Sequence, residues 1–127
     1  MARILVIDDE ELIRQTVTAT LQRFGHTVSA AADGEAGVDL FQREAFELVI
    51  TDVRMPGMSG PDVIRVLRPL RPGIPIIIIG GGGSIPPVGS ESFAREVGAD
   101  RVLQKPFAMR QLNAAVSELL KTAKAGG

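Results

Sequence analysis

The sequence predicts an α/β domain with five parallel strands and helices on both faces of the sheet. Short apolar runs alternate with longer stretches of helical periodicity, and the first, third and fourth runs are almost continuously apolar. Continuous apolarity suits strands covered on both faces, whereas a strand with one wet face alternates. Regular alternation of strand and helix implies parallel strands joined by right-handed crossovers.

The strands are expected at residues 4–7, 27–31, 48–51, 76–79 and 102–103. Between them, Ile13, Val17, Leu21 and Phe24 follow helical spacing, as do Ala36, Leu40 and Phe41, then Val63, Val66 and Leu67, and finally Leu112, Val116, Leu119 and Leu120. Gly25 stops the first helix. Pro61 fits a first helical position, where a missing amide hydrogen costs little. The fourth helix rests on Phe93, Ala94 and Val97, after a loop rich in glycine and proline.

Composition narrows the function. At 127 residues with 45% hydrophobic content, the chain suits one well-buried core and is short for two domains. Fifteen acids against fourteen bases give a net charge of -1, so no sequence-wide basicity points to nucleic acid or anionic lipid. The absence of cysteine removes disulfides, thiol catalysis and cysteine zinc sites, and is compatible with a reducing cytoplasm. No apolar stretch approaches the roughly 20 residues that cross a bilayer, and the first residues are unlike a signal peptide.

In open parallel sheets, ligands sit beyond the carboxyl ends of the strands. Asp8 and Asp9 follow strand one, Asp52 follows strand three, Gly80 follows strand four and Lys105 follows strand five, so all fall at one edge. With the strand order 2-1-3-4-5, strands one and three are neighbours at the switch point, and three carboxylates converge with Lys105 nearby. Clustered carboxylates repel, and a bound divalent cation removes the conflict. Hard oxygen ligands with open water positions suit magnesium. Lys105 would supply a second positive charge to a phosphoryl group, and Asp52 the nucleophile that forms an aspartyl phosphate.

Asp8-Asp9, the run from Asp52 to Gly60 with Met55-Pro56 and Met58, and Lys105-Pro106-Phe107 together resemble the receiver domain of two-component response regulators, from Arg3 to about Leu120. The resemblance implies a CheY-like, flavodoxin-like three-layer sandwich over residues 1–127, with a core at about 3–120, a short tail at 121–127 and no output domain in view. It implies a magnesium-dependent phosphoacceptor, not a small-molecule enzyme. Asp9 and Asp52 would bind magnesium directly with the backbone carbonyl of Arg54, and Asp8 through water. Lys105 would contact the phosphoryl group and precede a cis Pro106. The implied partners are a sensor histidine kinase or phosphotransfer protein and a downstream protein, in the cytoplasm, with the domain a monomer or weak dimer and no role for nucleic acid or membrane.

Two positions depart from that family. Gly80 stands where a serine or threonine usually bonds the phosphoryl group, and Val102 stands where a tyrosine or phenylalanine usually rotates inward. The stretch from Gly80 to Lys105, with Pro86 and Pro87 inside, is a few residues longer than is usual. Gly80, Gly81, Gly82, Gly83 and Ser84 supply amides that can approach an anion closely, and we expect this loop to replace the missing hydroxyl and to become ordered on phosphorylation. Met55, Met58 and His26 read as structural; Arg54 either screens the acyl phosphate or faces solvent; Arg65, Arg68 and Arg71 read as a solvated helix end. A receiver-shaped module that binds without phosphorylation is the main alternative, favoured by Gly80 and Val102 and disfavoured by the complete acid set. A magnesium-dependent phosphohydrolase is the other, disfavoured by Arg54 two positions after Asp52, where such enzymes commonly carry an acid.

Overall fold

The computed structural model describes residues 2–86 and 88–126; Pro87 of the glycine- and proline-rich loop lies outside the described residues. The elements run β1 (Arg3–Ile7), α1 (Glu11–Arg23), β2 (Thr27–Ala31), α2 (Gly34–Arg43), β3 (Leu48–Asp52), α3 (Gly60–Leu70), β4 (Ile76–Gly80), α4 (Ser90–Val97), β5 (Arg101–Gln104) and α5 (Met109–Gly126). The strands form one parallel sheet in the order β2-β1-β3-β4-β5, as the sequence predicts. Asp52 and Gly80 are the last residues of their strands rather than the first beyond them, and α5 continues through the residues read as a tail.

Side chains alternate across a strand, and here both faces are covered. Leu5, Ile7, Val49, Ile76 and Ile78 pack with Phe41, Val63, Ile64 and Leu67, so α2 and α3 lie on one face, with Phe93 and Val97 of α4 against the same cluster. Ile4, Val6, Leu48, Ile50, Ile77 and Ile79 point the other way, onto Val17 and Leu21 of α1 and Leu112 and Val116 of α5. This division explains why β1, β3 and β4 read as unbroken apolar runs: every residue of β3 and β4 is buried.

The helices differ from the expected pattern where small residues make the contact. Ala36 is exposed, and α2 buries Gly34, Gly37 and Phe41 instead. A Cβ on Gly37 would overlap the Ile7 side chain, so glycine lets α2 ride close over β1. Phe24 and Val66 are exposed despite their helical spacing. Gly25 follows α1 with φ +90°, a left-handed conformation that halts a helix. Ser59 caps α3 by accepting from Asp62 N, while the Asp62 side chain accepts from Ser59 N.

Arg65 pairs with Asp62 on the surface and Arg71 is exposed, as expected, but Arg68 is half-buried and tied into the fold. The Arg68 guanidinium donates to Gly98 O at 2.7 Å and pairs with Asp100 at 3.0 Å, and the same Asp100 oxygen accepts from Ile76 N at 2.8 Å. Arg71 donates to Phe46 O. Backbone groups around the amino ends of the strands lack ladder partners; the arginines donate to the carbonyls, and Asp100 accepts from the Ile76 amide. His26 is structural, its Nδ1 accepting from Ala2 N at 3.2 Å.

Candidate functional site

The opposite, carboxyl edge of the sheet gathers the acids. Asp8 follows β1 and is fully buried. Its Oδ1 accepts from Glu10 N at 2.8 Å, a local turn that leads the chain into α1. Its Oδ2 lies 3.2 Å from Lys105 Nζ, but the direction is poor for a hydrogen bond, so this buried oxygen has no proper donor. Asp52 closes β3, 5% exposed, with Oδ1 accepting from Val53 N at 2.9 Å and lying 3.5 Å from the same ammonium.

Lys105 reaches this edge because β5 pairs with β4 in register and Lys105 N donates to Gly80 O at 2.6 Å. The Lys105–Pro106 peptide is cis. Lys105 Nζ touches a third acid, Glu10, at 2.8 Å. One ammonium therefore serves three carboxylates, and the electrostatics show the shortage. Burial, reinforced by the charge of Asp8, pushes the Asp52 carboxyl up to about 6, and burial also raises Asp8. Burial by itself pulls Lys105 down, but the bond to Glu10 and the charges of Asp52 and Asp8 outweigh it, so the ammonium is held more firmly than usual.

Asp8, Glu10 and Asp52 present oxygens within 4.8 Å of one another. Those hard oxygens and the undersatisfied Asp8 Oδ2 fit a small divalent cation. Asp9 is exposed and outside this trio, but lines the same cleft of about 570 Å³ as Glu10, Asp52, Arg54, Gly81 and Lys105. Glu10 is the site residue that the sequence reading missed, although its place directly after Asp8-Asp9 was a visible signal. Arg54 is exposed at the cleft wall, and Met55 is buried as packing. Val102 is half-buried against the core face that carries α2, α3 and α4.

Two loops flank the acids. On the α3 side, a Cβ on Gly60 would overlap Asp52 O, and Gly60 N donates to Val53 O at 2.8 Å, so α3 starts directly against the strand end. On the α4 side, Ser84 N donates to Gly81 O at 3.1 Å across Gly82 and Gly83, whose φ values are +59° and +82°. Two consecutive positive φ values mark a tight primed turn, so these glycines serve a defined chain reversal.

The response regulator receiver domain family model matches residues 4–117. The chain is 36% identical over 120 residues to response regulator MprA of Mycolicibacterium vanbaalenii, covering 94% of this chain and 50% of that protein. It thus spans about half the length of such curated relatives. A response regulator receiver domain protein of Clostridium thermocellum superposes with a TM-score of 0.90 at 31% identity, covering 100% of both chains. The chemotaxis protein CheY4 of Vibrio cholerae superposes at 0.84 with 32% identity, over 94% of this chain and 98% of that one. Among the described residues no helix is long and apolar enough to cross a membrane.

Proposed function

The chain belongs to the response regulator receiver family of two-component signalling, and on that premise we propose that it takes a phosphoryl group onto Asp52 from a sensor histidine kinase or phosphotransfer protein and signals by protein contact. One observation supports this above the others: the ammonium of the half-buried Lys105 sits 3.2 Å from Asp8 and 3.5 Å from Asp52 at the carboxyl edge of the sheet. Three acids around one base leave the pocket net negative, a balance that a divalent cation corrects.

Magnesium held by these acids would supply the further positive charge that a phosphoryl group needs. Its proposed ligands are Asp9, Asp52 and the backbone carbonyl of Arg54, with Asp8 acting through water; Glu10, clustered with Asp8 and Asp52, adds a fourth carboxylate. With its ordinary value displaced to about 6, Asp52 is ionised at neutral pH and able to attack. An Asp52 carboxylate oxygen forms the new bond to phosphorus while the P–N bond of a donor phosphohistidine breaks, the electron pair returning to the imidazole. Lys105 then exchanges carboxylate contacts for a phosphoryl oxygen, as a compact point charge.

The test is intact mass after incubation with magnesium and a small phosphodonor, for the native chain and Asp52→Asn. A single phosphate on the native chain alone supports the reading. Absence of an adduct, with beryllofluoride also failing to bind, favours a module that works without phosphorylation. Continuous phosphate release from varied small esters favours a phosphohydrolase.

A further inference from the structure

Gly80 leaves the end of β4 without a side chain, yet the space beside it is filled. A Cβ built on Gly80 would overlap the Oγ of Ser84 and would meet Val53 Cγ2 at 2.9 Å and Ile85 Cδ1 at 3.0 Å. The tight turn across Gly82 and Gly83 brings Ser84 back to this point, and Ile85, 3% exposed, anchors the chain behind it. Ser84 and Gly80 are therefore complementary: the hydroxyl fits because residue 80 has no Cβ.

That hydroxyl is poised. Among the described residues Ser84 Oγ is shielded from solvent and has no hydrogen-bond partner, which a protein interior normally avoids. Ser84 also lines the cleft shared by Asp52, Gly81 and Lys105. An unpaired donor beside an anion site is satisfied when the anion arrives.

Resting on the phosphoacceptor reading above, we propose that Ser84 is the residue that donates a hydrogen bond to the phosphoryl group on Asp52, its hydroxyl delivered by the glycine turn into the space that Gly80 leaves open. The bond draws on a loop residue rather than a strand residue, so it acts directly on the segment leading into α4. No aromatic side chain at Val102 is needed to register it.

The test is beryllofluoride binding in the presence of magnesium, by titration, to the native chain, Asp52→Asn, Ser84→Ala, Gly80→Ser and the exchange variant Gly80→Ser/Ser84→Gly. Binding to the native chain and not to Asp52→Asn upholds the phosphoacceptor reading. Ser84→Ala is expected to bind at least about tenfold more weakly, the ratio set by one charge-assisted hydrogen bond. Its melting temperature without ligand should equal or exceed the native value, because a buried hydroxyl without a partner has been removed; a purely structural serine would lower it. Gly80→Ser should lose stability by crowding Ser84, and the exchange variant should recover both stability and most of the affinity. Native-like binding by Ser84→Ala overturns the proposal and leaves the phosphoacceptor reading standing. Failure of the native chain to bind overturns both.

Discussion

The two ends of this sheet treat charge in opposite ways: the pair at the amino end is partly open to solvent, and the acids Asp8 and Asp52 at the carboxyl end are buried. At the amino end, Asp100 accepts from Ile76 N and pairs with Arg68, whose remaining donors are spent on Gly98 O, Pro72 O and Ile74 O. At the carboxyl end, Asp8, Glu10 and Asp52 share the single ammonium of Lys105, and Asp8 Oδ2 lacks a proper donor. One end is satisfied and contributes stability. The other is held in deficit and is completed only by something that binds.

Substitutions can break that contrast. The largest effect belongs to Asp52→Asn, which should abolish the phosphate adduct seen by intact mass while leaving the circular dichroism spectrum native. Next, Lys105→Met should slow phosphate uptake from a small donor by about a hundredfold, the usual cost of deleting one preorganised positive contact; an unchanged rate would remove Lys105 from the chemistry.

The same deficit predicts a gain in stability. Between the ordinary aspartate value of 3.8 and the value of about 6 reached by Asp52, the folded chain binds a proton that the unfolded chain has released. Folding therefore weakens as pH rises through that window, and above it the penalty reaches about 3 kcal/mol. An asparagine side chain cannot ionise, so in a chelator Asp52→Asn should be more stable than the native chain at pH 7.5, with the gap closing toward pH 4. Urea unfolding at several pH values measures this; equal stability at pH 7.5 would show the carboxyl edge to be less strained than its geometry indicates. Magnesium should narrow the gap from the native side.

Arg68→Ala should act in the opposite sense, costing about 2 kcal/mol by stripping partners from Asp100 and from partly buried carbonyls. The loss should be the same with and without magnesium, since the amino end lies across the sheet from the acids. A magnesium-dependent loss would mean that the two ends are not independent.

The sheet and the positions of Asp8 and Asp52 were legible because both follow from patterns the chain displays directly, whereas the third acid of the trio is Glu10 and not Asp9. Doubly covered strands must be continuously apolar, and parallel topology carries Asp8, Asp52, Gly80 and Lys105 to one edge whatever their loops do. Contacts decided by local geometry were not legible. Gly34 and Gly37 make the close face of α2, yet apolar periodicity does not register glycine. Arg68 looked solvated because helical spacing does not show where a long side chain ends. Ser84 read as one more polar residue in a glycine run, since its return to Gly80 depends on two positive φ values that only coordinates supply.

Gly60 has a mechanical consequence. With no room for a Cβ against Asp52 O, an amide bonded to Val53 O and a capped helix start behind it, Gly60 braces the nucleophile's strand end against α3. The facing wall is a glycine turn. The two walls beside Asp52 are thus built differently, one by a helix start set against the strand backbone and the other by a tight turn that seats Ser84 against Gly80.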